Sequence, residues 1–164
     1  MDGSQPIGDA DVKVEAHARS LFTFEFDLLI DGEEVGSFRH KVWRRSSAVI
    51  HSVPHDIIRQ RYSKWDLIPE GGGLPAASVA RGPKGRYDIS SPNGTIALIR
   101  SFLGFKWELA SLEGLAGSVR LNNLFSRSLT AEVSDDLPVE SALLLMWTVV
   151  MLRRKAAAAA GGGA

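Results

Sequence analysis

Hydrophobic and polar residues alternate along several short segments of the chain, while one longer segment is apolar throughout. In residues 21–28 apolar and polar side chains alternate with a period of two, which predicts a strand with one buried face. Asp31-Gly32 follows and is typical of a tight hairpin turn. The first predicted hairpin therefore joins residues 21–28 to a return strand at 34–39.

The same pattern continues in the second half of the chain. Asn93-Gly94 lies between two apolar runs and predicts another hairpin, residues 105–109 alternate again, and residues 128–133 form the last predicted strand. The pattern is least clear in residues 54–86. Many short strands with regular turns predict a β-sandwich or a β-barrel.

The apolar segment, residues 142–152, reads ALLLMWTVVML, with Thr148 as its one polar residue. Strong helix formers dominate it, so we predict a helix at about residues 137–155. The unbroken apolar run would be roughly 16 Å long, whereas a bilayer core needs about 30 Å. We therefore favour a helix buried in the protein core, which a closed sheet would wrap completely, and expect no transmembrane span. A membrane anchor or interfacial helix is the alternative. The predicted core residues of this helix are Leu143, Leu144, Met146, Trp147, Val150 and Met151.

Two segments of the chain resemble each other. Residues 35–50 and residues 116–133 both contain Gly-Ser-apolar-Arg, then a bridge with an aromatic residue, then Arg and Ser, then an apolar strand. Duplication of one hairpin unit explains this similarity, and convergence of similar hairpins is the alternative.

Composition restricts the chemistry. The chain has 19 basic and 19 acidic residues and no cysteine, which excludes disulfides and thiolate catalysis and gives no reason to expect a nucleic-acid partner. The serine-hydrolase elbow Gly-x-Ser-x-Gly is missing, and the triple glycine at residues 71–73 lacks the Lys-Ser/Thr of a phosphate loop. His51 and His55 flank Pro54, which disfavours the helix that would place them together on a metal. We therefore predict no enzymatic activity, no cofactor and no metal site.

Arginines are the better candidates for binding. Basic side chains cluster in the first repeat, and arginines occupy equivalent places in the second. Guanidinium groups bind phosphate in a bidentate manner, so these residues could meet anionic lipid headgroups. The alternative is a solvated face on which acidic neighbours pair with them, and the neutral net charge favours it. The candidate ligand-binding residues are Arg39, Lys41, Arg44, Arg45, Arg120 and Arg127.

These features resemble a known superfamily. Asp31-Gly32, Val35-Gly36, Gly117-Ser118 and an Asp136-Leu137-Pro138 entry into an apolar C-terminal helix are similar to bacterial tubby C-terminal-like domains. Their superfamily includes tubby proteins, LURP-one-related proteins and phospholipid scramblases. The resemblance covers about residues 21–155. It implies a mainly β fold, in which a closed antiparallel barrel of about twelve strands surrounds the hydrophobic C-terminal helix.

The resemblance also bears on function. Tubby proteins bind phosphoinositides, and scramblases are associated with membranes and calcium, but no scramblase calcium segment or palmitoylated cysteine cluster is matched here. We expect a non-enzymatic binding or scaffold module that recognises anionic phospholipid or a protein partner, in the cytoplasm or peripheral to the membrane. The expected organisation is a flexible leader at residues 1–19, one domain at 20–155 and a low-complexity tail at 156–164.

Overall fold

A computed structural model describes residues 12–20, 23–41, 45–61, 63–100, 106–111, 114–122, 127–133 and 137–161. It contains twelve strands, one short 3₁₀ turn at Pro83–Gly85 and one long helix. The strands are β1 (Val12–Ala18), β2 (Glu25–Ile30), β3 (Glu33–Arg39), β4 (Ser46–Ile50), β5 (Val53–Arg61), β6 (Lys64–Pro69), β7 (Ala77–Arg81), β8 (Tyr87–Ser91), β9 (Gly94–Arg100), β10 (Lys106–Ser111), β11 (Gly114–Leu121) and β12 (Leu129–Val133), and the helix is α1 (Val139–Gly161).

The strands form one closed antiparallel barrel, as the sequence analysis predicted. Each strand pairs with its neighbours in the chain, and β1 closes the barrel by pairing with both β2 and β12. Val14 and Ala16 of β1 point into the core and are buried. The predicted flexible leader at residues 1–19 is therefore wrong for residues 12–18. Their alternation was overlooked because charged side chains flank small apolar ones; residues 1–11 lie outside the described part.

Helix α1 fills the barrel. Residues 141–151 are all buried, including every residue predicted for the helix core. A helix that is apolar on all sides needs such a complete wrapping. The anchor alternative would require the barrel to open, because the same side chains cannot also face lipid. The helix begins at Val139 and continues through the alanines to Gly161, beyond the predicted end at residue 155 and into the predicted low-complexity tail.

The two similar segments form equivalent pairs of strands. In the first, Leu28 pairs with Gly36 and the register shifts directly afterwards; in the second, Leu109 pairs with Gly117 and the register shifts at the same point. A Cβ on either glycine would collide with the backbone of the next strand, at Val49 or at Glu132. Both repeats therefore keep glycine where a bulge brings two backbones together.

Residues 54–86, which were unclear in the sequence, form most of β5, β6 and β7 and the 3₁₀ turn. The turn before β5 consists of His51 and Ser52, both with positive φ (46° and 66°). Two consecutive residues with positive φ are typical of a type I′ turn, which glycine or asparagine usually occupies. The sequence lacks that signal at His51 and Ser52, although the structure has the turn that separates β4 from β5 there.

The barrel has two distinct ends. Because neighbouring strands run in opposite directions, the connections after β1, β3, β5, β7, β9 and β11 lie at one end. We call this the exit end, since α1 emerges there beside the β3–β4 connection. The opposite, entry end contains the start of α1. Acidic residues that lie toward the entry end are Asp31, Glu33, Glu34, Glu70 and Glu140.

Candidate functional site

Three cavities surround α1 at the exit end of the barrel, with volumes of about 480, 230 and 440 Å³. Successive alanines of the helix face them: Ala158 lines the first, Ala157 the second and Ala156 the third. Nine basic side chains line these cavities, and we call them the basic rim. The basic rim consists of Lys41, Arg45, Arg59, Arg81, Lys84, Arg127, Arg153, Arg154 and Lys155.

Within the described residues, no Asp or Glu lines any of the three cavities. Acidic side chains at this end lie on the outer wall of the barrel instead. There they pair with basic residues that are mostly outside the rim, as in Arg19–Asp27 at 2.7 Å and Arg39–Glu25 at 3.2 Å. Arg45 of the rim also forms such a pair, to Asp56 at 3.4 Å. The zero net charge of the chain therefore conceals a strong separation of charge.

Arg154 connects α1 to the barrel. Its Nη1 donates to Nδ1 and to the carbonyl oxygen of His40, both at 3.1 Å, and its Cζ lies 3.6 Å from the centre of the Phe24 ring. The imidazole must be neutral at Nδ1 to accept this bond. Burial, together with the charges of Arg154 and Lys155, lowers the pKa of His40 to about 4.

Two cations of the basic rim lie over the ring of Trp65, at the mouth of the largest of the three cavities. The Cζ of Arg59 and the Nζ of Lys155 lie 5.7 and 5.6 Å from its ring centre. The edge of Trp65 packs against Trp147 of the helix, with ring centres 5.8 Å apart. Both distances from the cations are within the range of a cation–π interaction, so the ring holds positive charge beside the cavity.

The cations at the end of α1 repel one another. The pKa of Lys155 is lowered by burial and then by the charges of Arg59 and Arg81. The pKa values of Arg153 and Arg154 are also lowered, first by burial and then by Arg127. Across the described part of the chain, neither these three residues nor Arg127 form an ion pair with a carboxylate. An anion in the cavities would relieve this repulsion.

The structure brings only some of the predicted ligand-binding residues together. Lys41 and Arg45 line the first cavity, and Arg127 lines the second with its Cζ 4.6 Å from the Phe24 ring centre. Arg39 and Arg120 lie on the outer wall, on strands β3 and β11, which are separated by three other strands. These two arginines, at equivalent places in the two repeats, therefore do not lie in one patch. Arg44 lies outside the described residues.

Sequence reasoning missed six rim residues. Three of them, Arg153–Lys155, follow directly on the apolar run, where basic residues are expected because they complement the negative end of any helix. The others lie in or beside connections of the exit end, on β5 and around β7. A usable signal was present: the connection at residues 82–86 is basic, whereas those at 31–32 and 70–76 are acidic, and an antiparallel barrel places these two groups at opposite ends. The missed residues are Arg59, Arg81, Lys84, Arg153, Arg154 and Lys155.

The described ranges hold neither a metal-binding cluster nor a membrane-spanning helix. No group of three or more His, Asp or Glu side chains lies close enough to hold a metal ion. No helix among these residues combines the length and the hydrophobicity that crossing a membrane would need.

The overall fold is similar to that of a known plant protein. The X-ray structure of the Arabidopsis thaliana protein AT5G01750 superposes with a TM-score of 0.56, covering 90% of this chain and 93% of that one at 10% identity. At this identity the similarity shows the fold alone. The closed barrel around a C-terminal helix that was expected from the sequence is confirmed, whereas the superfamily, a specific family and a bacterial origin remain predictions.

Sequence comparison does not show a family for this chain. No family model matches the chain. An alignment over 79 residues shows 32% identity to a Drosophila melanogaster protein named zinc transporter ZIP13 homolog. This alignment covers 42% of the present chain. The chain spans about a fifth of the length of that curated relative, with 22% of it covered. The chain therefore has the fold of a closed twelve-stranded antiparallel barrel around a C-terminal helix, and the basic rim surrounds the end of that helix.

Proposed function

We propose that this protein is a non-enzymatic binding module whose basic rim associates with the anionic headgroups of a phospholipid surface. The observation that carries the proposal is the set of nine basic side chains around α1, without an acidic residue among the described residues that line the same cavities. Phosphate-bearing surfaces attract such clusters by roughly 1 kcal/mol for each basic residue near the surface.

The shape of the exit end supports the same proposal. Residues 156–161 of α1 are exposed and extend the helix beyond the buried core by roughly 9 Å. They comprise five alanines and one glycine, so the projecting part of the helix carries no charge that would oppose an anionic surface. The rim could approach headgroups with this short helix at its centre.

Charge on the opposite end would orient the barrel. The acidic residues toward the entry end would be repelled by the same surface that attracts the basic rim. Attraction at one end and repulsion at the other favour a single orientation, with the barrel axis pointing toward the membrane. This orientation distinguishes binding by the rim from binding by the outer wall, where Arg39 and Arg120 lie.

Vesicle sedimentation tests the proposal directly. The protein should sediment with vesicles of phosphatidylcholine and phosphatidylserine but not with phosphatidylcholine alone, and added salt should weaken the binding because it screens exposed charges beyond about 8 Å at physiological strength. The rim double variant Lys84→Gln/Lys155→Gln should lose about 2 kcal/mol, or roughly thirtyfold in affinity.

The matched control removes two charges from the outer wall, in Lys106→Gln/Arg120→Gln. These residues face each other across β10 and β11, and both are exposed. Their replacement should change vesicle affinity much less than the rim variant does. An equal loss in both variants would move the binding surface to the wall, and equal binding to neutral vesicles would exclude headgroup recognition.

A further inference from the structure

We propose that the largest cavity at the exit end is a binding site for a single small organic anion with a flat aromatic body, such as an aryl phosphate or an aromatic carboxylate. This cavity, which we call the exit cavity, lies between α1, the β3–β4 connection and strands β4 to β6. The inference does not rest on membrane association, because it concerns one dissolved molecule inside the cavity.

The walls of the exit cavity are built from buried apolar side chains. Ile57, Trp65, Trp147 and Met151 line it, and each is at most 8% exposed. Its volume of about 480 Å³ lies within the roughly 300–1,000 Å³ that is usual for small-molecule sites. Two tryptophans in the wall offer the kind of surface against which an aromatic body packs.

Polar groups of the exit cavity are nearly all cationic. The basic residues that line it are Lys41, Arg45, Arg59, Arg154 and Lys155. Arg45 pairs with Asp56 at 3.4 Å, and Asp56 does not line the cavity. His40 is neutral near pH 7, because its pKa is lowered to about 4. The electrostatics therefore select an anion and disfavour a cation or a neutral sugar.

Apolar walls and a cationic mouth together define the class of ligand. Inorganic phosphate would pair with the cations but leave the apolar wall exposed to water. A neutral arene would leave the repulsion between Arg59 and Lys155, which both line the cavity, unrelieved. A ligand with both an anionic group and an aromatic body would pair with the cations and also cover the apolar wall. This complementarity is typical of ligand sites, which are mostly apolar with a few convergent polar groups.

Calorimetric titration of the full chain tests this inference with three probes. Naphthyl phosphate should bind at least about tenfold more tightly than inorganic phosphate and than naphthol, a difference of about 1.4 kcal/mol. If inorganic phosphate binds as tightly as naphthyl phosphate, the apolar wall takes no part and the inference is wrong. If naphthol binds as tightly, the cations take no part, and the inference is equally wrong.

Two alanines of α1 provide a matched pair of variants. Ala158 lines the exit cavity, whereas Ala160 lines none of the three cavities, and both are exposed, so neither replacement should disturb folding. Ala158→Phe should fill the mouth and weaken naphthyl phosphate binding by at least about tenfold, while Ala160→Phe should change it less than about twofold. Equal behaviour of the two variants would overturn the assignment of the site.

The same two variants separate this inference from the proposed function. Neither removes a charge, so both should still sediment with anionic vesicles. A chain that binds vesicles but not naphthyl phosphate would overturn the exit-cavity site alone. A chain that binds naphthyl phosphate but not vesicles would overturn the headgroup proposal alone.

Discussion

Arg154 and His40 join the C-terminal helix to the rim of the barrel, across 114 residues of sequence. One guanidinium nitrogen, Nη1, donates to both the ring nitrogen Nδ1 and the main-chain oxygen of the histidine. This contact holds the end of α1 in place at the point where the helix leaves the core. It also makes the stability of the barrel depend on the protonation state of one imidazole.

The first prediction concerns pH. The pKa of His40 is about 4 in the folded protein and about 6.5 in the unfolded chain, so the unfolded state binds its proton first as pH falls. The contribution of neutral His40 to the free energy of unfolding is fully present above pH 6.5, declines between pH 6.5 and 4, and is lost below pH 4. A lowering of this size corresponds to about 3 kcal/mol. Urea unfolding across this range should show the decline, and His40→Gln should remove its contribution.

His17→Gln is the control for that measurement. His17 lies on the outer wall, with its side chain 47% exposed, and its replacement leaves the contact between His40 and Arg154 untouched. This variant should retain the contribution of His40. If His40→Gln shows the same decline as the unmodified chain, protonation of His40 is not its cause.

The second prediction compares two neighbouring arginines of α1. Arg154→Lys removes the planar group that reaches both acceptors of His40 and that stacks on Phe24. It should lower the free energy of unfolding by about 1 kcal/mol. Arg153→Lys keeps the charge at a residue without such a described contact and should change stability by less than about 0.5 kcal/mol. Equal effects at both residues would show that His40 does not hold the helix.

The third prediction tests whether the helix is the core. Leu144 is completely buried in the barrel, and Leu74 is 89% exposed in the β6–β7 connection. Leu144→Ala should reduce the free energy of unfolding by about 2–5 kcal/mol, since it leaves a cavity. Leu74→Ala should change it by less than about 0.5 kcal/mol. Chemical denaturation of both variants measures the difference, and a small effect at Leu144 would contradict the buried helix.

The fourth prediction concerns the glycines of the two repeats. Gly117 has a φ of 152° and lies against the backbone at Glu132, so Gly117→Ala would force the two strands apart. We expect a loss of about 1–3 kcal/mol, and a smaller loss for Gly36→Ala, which meets a similar obstacle at an ordinary φ. Gly161→Ala, where the added methyl group meets no neighbour, is the control. Thermal unfolding of the three variants distinguishes them, and three equal melting temperatures would rule out the close approach.

Local patterns in the sequence were sufficient for the elements with clear periodicity. The alternation in residues 21–28 and the Asp31-Gly32 turn predicted the first hairpin, and the apolar run predicted a helix that must be wrapped on all sides. These features depend on neighbouring residues and on the need to bury apolar surface, so the sequence alone determined them. The type I′ turn at His51 and Ser52 was missed, because its residues carry no turn signal of their own.

Only the tertiary structure decided which basic side chains lie close together. Closure by β1 places three strands between Arg39 and Arg120, so two equivalent residues of the repeats lie apart. The same closure brings Arg59, Arg127 and Lys155, from distant parts of the chain, around the emerging helix. Strand order and barrel closure are global properties, and the neutral net charge gave no sign of them. The sequence by itself thus determined several paired strands and an apolar helix that must be wrapped on all sides. Only the closed barrel decided that the basic residues surround the end of that helix, because strand order is set by pairing between distant segments.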